Sequence, residues 1–206
     1  MKGLDAPALR RLAASRLSRE PANEALRGDG DLNPGFLAKA GAVLPAAVLV
    51  PILVRPIGLA VLLTERSVDL PSHPGQVAFP GGKIDPSDAG PLAAALRECE
   101  EEIGLDRRYV EPIGYLDTYQ TGSGFRIVPA VALIADGFEL HPNALEVAAV
   151  FEVPLAFLLD PANHHRQSLE WRGKLRQYYE MRFGEHRIWG VTAGILRNLH
   201  DRLMGS

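Results

Sequence analysis

The sequence predicts a mixed fold of the α/β or α+β class, with strands before and after one central helix in the chain. Apolar runs at residues 46–54 and 59–64 lie between turn-forming residues, which is typical of buried strands. Residues 91–103 instead place apolar side chains at helical spacing. Strand-like runs follow this helix, and the chain closes in an amphipathic helix. Mixed strands around a helix indicate a sheet with helices packed against it.

Length and composition favour one globular domain over residues 1–206, with residues 1–34 as an N-terminal helical extension. A chain of 206 residues with 47% hydrophobic residues buries a sizeable core without disulfides. A formal net charge of −3 argues against a nucleic-acid or membrane-surface binder that works by bulk electrostatics. With no signal-peptide pattern and no apolar run of about 18 residues, we expect a cytoplasmic enzyme.

The first half of the chain is predicted to hold a helix, a link and three strands. Leu9, Leu12 and Leu17 lie at roughly helical spacing, which favours a helix over residues 1–28. The remaining elements are a turn-rich link at 28–34, a hairpin of strands 46–54 and 59–64, a short strand at 76–79 and a turn at 80–82.

The central helix starts at Pro91, with Gly90 as its cap, and ends before Gly104, which suits the left-handed position after a helix. Strand and helix patterns continue beyond it. In order they are strands 110–120 and 125–134 around a polar loop, a short helix at 153–159, strands 168–171, 175–182 and 186–189, and an amphipathic helix at 191–203.

The end of the central helix is unusually acidic. Glu98, Glu100, Glu101 and Glu102 crowd its last two turns, where carboxylates face the negative end of the helix dipole. Helical phasing places Glu98, Glu101 and Glu102 on one face, within reach of one ion, whereas Glu100 points elsewhere. The alternative is a solvated acidic face, and a bound cation is the simplest remedy for this much charge.

Residues 97–105, Arg-Glu-Cys-Glu-Glu-Glu-Ile-Gly-Leu, match the signature R-E-U-x-E-E-x-G-U of the Nudix hydrolases at every fixed position, where U is aliphatic or similar. The general signature also has a Gly and a Glu where this chain has Lys83 and Ala89, and here the glycine is one residue further back, at Gly82. That longer spacing resembles the coenzyme A pyrophosphatase branch. So does a second signature upstream, at residues 62–67 and 73–82, although the branch usually has a basic residue in place of Pro71.

The resemblance implies a Nudix α/β/α sandwich and a metal-dependent diphosphate hydrolase. Coenzyme A would be its substrate, cleaved to adenosine 3′,5′-bisphosphate and 4′-phosphopantetheine. Divalent cations relieve the charge of a diphosphate, and Mg²⁺ or Mn²⁺ prefer oxygen ligands. Carried over from the family, Glu98, Glu101 and Glu102 are the metal ligands.

Other roles follow from the same resemblance. Family members take their catalytic base either from a signature glutamate, here Glu98 or Glu101, or from a distant loop, where Glu146 is the matching residue. Arg97 is placed to hold Glu101 at i,i+4. The expected substrate contacts are Arg66, His73, Gln76, Gly81, Gly82 and Lys83.

Two alternative functions remain open from the sequence. One is hydrolysis of another nucleoside diphosphate derivative, such as ADP-ribose, which the substitution at Pro71 keeps open. The other is a non-catalytic nucleotide sensor, which the three retained glutamates disfavour. We expect a small-molecule substrate and no nucleic-acid or membrane partner, and we leave a homodimer open.

Overall fold

The computed structural model describes residues 4–24, 27–35, 43–171 and 173–205. Its helices are α1 (Ala6–Arg16), α2 (Pro91–Ile103), α3 (Leu155–Leu158) and α4 (Gly190–Met204). Its first six strands are β1 (Arg27–Gly28), β2 (Leu44–Arg55), β3 (Gly58–Arg66), β4 (Val77–Ala78), β5 (Gly81–Lys83) and β6 (Val110–Tyr115). The others are β7 (Tyr119–Gln120), β8 (Phe125–Ile134), β9 (Val147–Pro154), β10 (His165–Trp171), β11 (Lys174–Phe183) and β12 (His186–Trp189). Among the described residues, no helix is both long enough and apolar enough to span a membrane.

Within the described chain, β1 to β9 form one mixed sheet, and β10 to β12 form a separate antiparallel sheet. Strand β2 is central and pairs in parallel with β8 along ten residues. Side chains of β2 alternate between two cores. Leu49 and Leu53 pack with Ala95 and Ile103 of α2, whereas Val50 packs on the opposite face. That opposite face is covered by α1, α3 and α4. The three layers confirm the expected α/β/α arrangement.

The sheet forks beside α2. Strand β2 pairs with β3 over residues 52–55, but with β5 over residues 46–48. Pro51 lies where β2 changes partner, at a position that does not need a backbone N–H donor. Beyond the fork, β3 pairs with β4 instead. The segment from β4 to β5 therefore crosses from one branch of the fork to the other.

Helix α2 has the predicted boundaries. Gly90 precedes it, Pro91 is its first residue, and Gly104 follows it with φ +71°. A Cβ at Gly104 would lie 2.9 Å from the backbone nitrogen of His141, so both conformation and space require glycine here. Cys99 is buried on the core side of the helix, where burial raises the pKa of its thiol.

The N-terminal prediction was too long. A helix was expected over residues 1–28, but α1 begins after its cap Asp5 and ends at Arg16. Ser18 then exchanges two backbone hydrogen bonds with Tyr115 of β6, of 2.8 and 3.1 Å, and this pairing replaces the helix. Residues 1–3 and 25–26, also in the expected helix, lie outside the described part of the chain.

Three strand predictions also need correction. The expected turn at Gly81 and Gly82 is strand β5, because its backbone pairs with β2. The expected strand at 110–120 is interrupted after Tyr115. Strand β9 was missed, so the helix expected at 153–159 starts only at Leu155. The sequence of β9, Val-Ala-Ala-Val-Phe-Glu-Val, does not alternate cleanly between apolar and polar residues. The conformation of β9 is instead determined by its pairing with β3.

Candidate active site

Gly81 and Gly82, two of the expected substrate contacts, lie directly against the acidic helix α2. A Cβ at Gly82 would be 2.5 Å from the carboxyl carbon of Glu98, so the Glu98 carboxylate occupies the space that a side chain would need. At Gly81 the backbone has φ +150°, and a Cβ would lie 2.4 Å from the Ala47 carbonyl oxygen. Both glycines are therefore required by the close approach of β5 to β2 and α2.

Glu102 is the most buried of the predicted metal ligands, with 5% of its surface exposed. The backbone N–H of Gly81 donates to its Oε2 at 3.0 Å, and Nη1 of Arg66 lies 4.0 Å from its Oε1. Burial raises the pKa of Glu102 to about 7, and the nearby carboxylates of Glu98 and Glu146 also raise it, while Gly81 and Arg66 act in the opposite direction. A cation would relieve this unfavourable environment for a carboxylate.

Arg97 links two other carboxylates of α2. Its Nη1 donates at 3.0 Å to Oε1 of Glu98 and at 3.0 Å to Oε2 of Glu101. The predicted i,i+4 pairing with Glu101 is thus present, and Glu98 is held by the same nitrogen. Burial raises the pKa of Glu98, which Arg97 opposes.

Asp88 was missed by the sequence analysis. Its two carboxylate oxygens accept from Nε and Nη2 of Arg97 at 3.1 and 3.0 Å. Oδ2 of Asp88 also accepts from the backbone N–H of Asp85, and the hydrogen bond from Arg97 lowers the pKa of the Asp88 carboxyl. The available clue was an acidic residue one position before Ala89, which occupies the signature position of a glutamate.

Glu146 is brought to the same place by its loop. The backbone N–H of Asn143 donates to the Glu102 carbonyl at 2.9 Å, which fixes the loop on the end of α2. The backbone N–H of Ser67 donates to the Glu146 carbonyl at 2.8 Å, and the Asn143 side chain donates to Oε1 of Glu146 at 3.0 Å. Glu146 is near enough to raise the pKa of both Glu98 and Glu102.

The predicted substrate contacts fall into two groups. Arg66 lies beside Glu102, and the loop after it folds back so that Arg66 donates through its backbone to Gln76 at 3.0 Å. His73 has φ +56°, and its Nδ1 lies 3.0 Å from Oε1 of Gln76. Among the described contacts, neither His73 nor Gln76 bonds to a glutamate of α2. Lys83 forms the second group. It lines an open cleft of about 620 Å³ together with Arg97, Glu98 and Glu101.

The donor set fits a hard divalent cation, although the described residues contain no preformed cluster of three or more His, Cys, Asp or Glu ligands. Arg97 engages one oxygen each of Glu98 and Glu101. Within the described structure, the second oxygen of each carboxylate makes no hydrogen bond. Carboxylate oxygens are the ligands that Mg²⁺ and Mn²⁺ prefer.

The chain is similar to known proteins of one family. The NUDIX domain model matches residues 43–171. An uncharacterized Nudix hydrolase NudL from Photorhabdus laumondii is 43% identical over 158 residues, covering 77% of this chain and 84% of the relative. One of the same name from Escherichia coli K12 is 42% identical over 154 residues, covering 75% and 80%. Among solved structures, the Nudix hydrolase RenU from M. smegmatis is 26% identical, with a TM-score of 0.46, and the match covers 58% of this chain and 78% of RenU.

The domain match spans more than half of the chain, and it includes α2, β5 and the loop that carries Glu146. The two relatives extend the similarity over about three quarters of the sequence. The chain therefore belongs to the Nudix hydrolase family.

Proposed function

We propose that this Nudix hydrolase cleaves coenzyme A to adenosine 3′,5′-bisphosphate and 4′-phosphopantetheine with Mg²⁺ or Mn²⁺. The observation that carries the proposal is the contact between α2 and β5: the backbone N–H of Gly81 donates to Glu102, and the Glu98 carboxylate packs against Gly82. Nudix hydrolases generally use divalent cations. The diphosphate of coenzyme A is negatively charged, which suits both the cation and the adjoining basic residues.

Glu98, Glu101 and Glu102 would hold the cation, which when bound offsets the charge of the diphosphate oxygens. Arg97 positions Glu98 and Glu101 through one nitrogen, and Asp88 positions Arg97 through two hydrogen bonds. Arg97 is therefore a positioning residue. Its own fixed orientation sets where the two carboxylates point.

The phosphate groups would meet both glycines and two cations. Because the Glu98 carboxylate fills the space beside Gly82, a phosphate would reach this part of β5 together with that carboxylate and its cation. Lys83 lines a cleft with Glu98 and Glu101, Arg66 lies beside Glu102, and each would supply positive charge to phosphate oxygens. His73 and Gln76, already bonded to each other, would present polar atoms to the part of the substrate beyond the diphosphate.

Glu146 is our choice for the catalytic base. In the hydrolysis, a water oxygen forms a bond to one phosphorus, the bond from that phosphorus to the bridging oxygen breaks, and the water proton passes to a carboxylate. Asn143 orients the Glu146 carboxylate, which is not engaged by Arg97. Glu98 is the next candidate, because burial raises its pKa, and Glu101 is the third.

The upstream signature supports coenzyme A over other diphosphates. It contributes Arg66, which sits beside Glu102 and faces the site from β3. Coenzyme A carries a 3′-phosphate that ADP-ribose lacks, and a guanidinium binds such a dianion well. ADP-ribose is the second candidate, because exposed Pro71 offers no charge where the branch usually has a basic residue.

A turnover screen tests the proposal. Purified protein is assayed with coenzyme A, 3′-dephospho-coenzyme A and ADP-ribose, each with Mg²⁺, with Mn²⁺ and with chelator. We expect the highest kcat/KM on coenzyme A and no turnover in chelator. Arg66→Ala should lower kcat/KM for coenzyme A by about 1.5–3 kcal/mol, the contribution of a charged hydrogen bond. Equal efficiency on coenzyme A and ADP-ribose would refute the substrate while leaving diphosphate hydrolysis intact.

We also propose that residues 1–206 form one domain. Leu9 of α1 lies in the same buried cluster as Leu196 and Leu199 of α4, so the two ends of the chain share a core. Limited proteolysis that removed α1 and left a stable, active remainder would contradict this. A cytoplasmic location stays a prediction.

A further inference from the structure

Strand β10 is paired along only one edge. It forms seven consecutive antiparallel pairs with β11, from His165 opposite Glu180 to Trp171 opposite Lys174, without a bulge. Its other edge meets no strand among the described residues. Residues 165–170 are all exposed, so this strand is open on both faces as well.

Such an edge normally carries features that prevent pairing with another chain. Charged side chains (lysine above all), proline, a bulge or a very short strand are the usual devices. The sequence of β10, His-Arg-Gln-Ser-Leu-Glu-Trp, contains neither proline nor lysine, and its register is unbroken. It does carry Arg166 and Glu170, but these two charges are opposite in sign and can attract a second copy of the strand. Leu169 and Leu175, on neighbouring strands, are 37% and 69% exposed. The edge therefore has the properties of a pairing surface.

The charges of β10 are complementary to those of a second, antiparallel copy of the same strand. Arg166 and Glu170 lie two residues on either side of Ser168, on the same face of the strand. When two copies of β10 run antiparallel about Ser168, Arg166 of each copy is opposite Glu170 of the other. Neither residue has an ion-pair partner among the described residues, and the Arg166 guanidinium lies 5.8 Å from the Tyr179 ring centre.

We propose that β10 is the interface of a homodimer, in which two copies pair antiparallel about Ser168. The two three-stranded sheets then join into one six-stranded sheet, and two Arg166–Glu170 pairs fix the register across the two-fold axis. Directly opposed charges of opposite sign stabilise an antiparallel pair, whereas like charges destabilise it. The occupant is a second copy of this chain because the charge pattern matches its own reverse.

Charge reversal tests the interface. Sedimentation equilibrium should show the parent as a dimer. Arg166→Glu and Glu170→Arg each place like charges opposite one another twice, and each should raise the dimer Kd by about tenfold or more. Arg11→Glu on α1 and Glu185→Arg in the turn before β12 are matched controls with the same changes in net charge away from β10, and they should leave Kd unchanged.

Mixing the two interface variants gives the decisive result. An Arg166→Glu protomer and a Glu170→Arg protomer again present opposite charges at both positions, so the mixture should form heterodimers with nearly the parent Kd. Amide hydrogen exchange of the parent should show protection along β10 that Arg166→Glu removes. A parent that stays monomeric at about 100 μM, or a dimer indifferent to both reversals, would overturn the proposal.

Discussion

The guanidinium of Arg97 is held by both carboxylate oxygens of Asp88, at 3.0 and 3.1 Å, while its remaining nitrogen binds two glutamates. A bidentate pair of this kind fixes the plane of the guanidinium as well as its distance. The orientation of Glu98 and Glu101 thus depends on an aspartate outside α2.

Asp88→Asn should lower kcat by about tenfold or more, because loss of a residue that orients a ligand commonly costs ten- to hundredfold. The affinity for Mn²⁺, measured by calorimetry, should fall with it, which a purely structural role would not require. Asp88→Glu should restore part of the activity. Glu100→Gln, an exposed neutralisation on α2, serves as the control and should leave both quantities unchanged.

Gly82→Ala should fold normally yet lose activity. The backbone at Gly82 is not in the left-handed region, but the new methyl group would meet the Glu98 carboxylate at about 2.5 Å and displace it. A displacement near 1 Å costs about a hundredfold in turnover. Thermal unfolding should be close to that of the parent. The double variant Gly82→Ala/Glu98→Asp, with a shorter side chain, should regain activity, and no gain would contradict the steric explanation.

Metal binding should release a proton from Glu102. Its pKa of about 7 without metal means that it is largely protonated at pH 6, and a cation needs its ionised form. Calorimetry with Mn²⁺ in two buffers of different ionisation enthalpy should report close to one proton released at pH 6 and very little above about pH 8.5. Glu102→Gln should abolish the release and cut turnover at least about a hundredfold. Heats independent of the buffer would refute this assignment.

Glu146→Gln should reduce kcat while KM and Mn²⁺ affinity change little, since the proposed base acts on the water rather than on the cation. Glu139→Gln, an exposed change in the preceding loop, is the control. If the variant keeps the parent kcat and pH–rate profile, the base is another carboxylate, and Glu98→Gln becomes the variant to measure.

Asp117 should stabilise the fold against acid. Burial acts to raise its pKa, but hydrogen bonds from Arg202 and Asn198 outweigh burial and hold the pKa below its ordinary value of 3.8. Because the folded pKa is lower than the unfolded one, the stabilisation is complete above pH 3.8 and is lost as pH falls through the folded pKa. Asp117→Asn should cost about 2 kcal/mol in unfolding free energy at pH 7.

Urea titrations at several pH values check this prediction. The deficit of Asp117→Asn should shrink as the pH falls below the ordinary carboxyl pKa of 3.8, where the parent loses its ion pair. Asp106→Asn, which changes a half-exposed aspartate paired with Arg108, should show little deficit at any pH. A constant deficit across the range would mean that Asp117 stabilises the fold by packing alone.

Much of the site was predictable because helical spacing is a local property. The positions of Glu98, Glu101 and Glu102 on α2 follow from their spacing, and the boundaries of α2 follow from Pro91 and Gly104. Asp88 was not predictable in this way, because its role depends on the fold of the loop before α2. The burial of Glu102 depends on β5, a strand formed by pairing with β2.

The same distinction applies to the fold. The hairpin of β2 and β3 and the strand β8 match the expected runs closely, since their apolar side chains are continuous. Strand β9 and the end of α1 were missed because backbone pairing with a distant segment decides them. Ser18, for instance, leaves the helical pattern to pair with Tyr115.

The fork in the sheet also determines where this chain tolerates a change in length. Residues 77–83 are anchored at both ends, to β3 through β4 and to β2 through β5, so one inserted residue would shift Gly82 away from Glu98. Residues 85–90 form no strand pairing among the described residues, so we expect an extra residue to be tolerated better there than within residues 77–83. Within that segment Asp88, one residue before the signature position at Ala89, holds Arg97 through two hydrogen bonds, so an insertion that moved Asp88 would misplace the carboxylates that Arg97 orients.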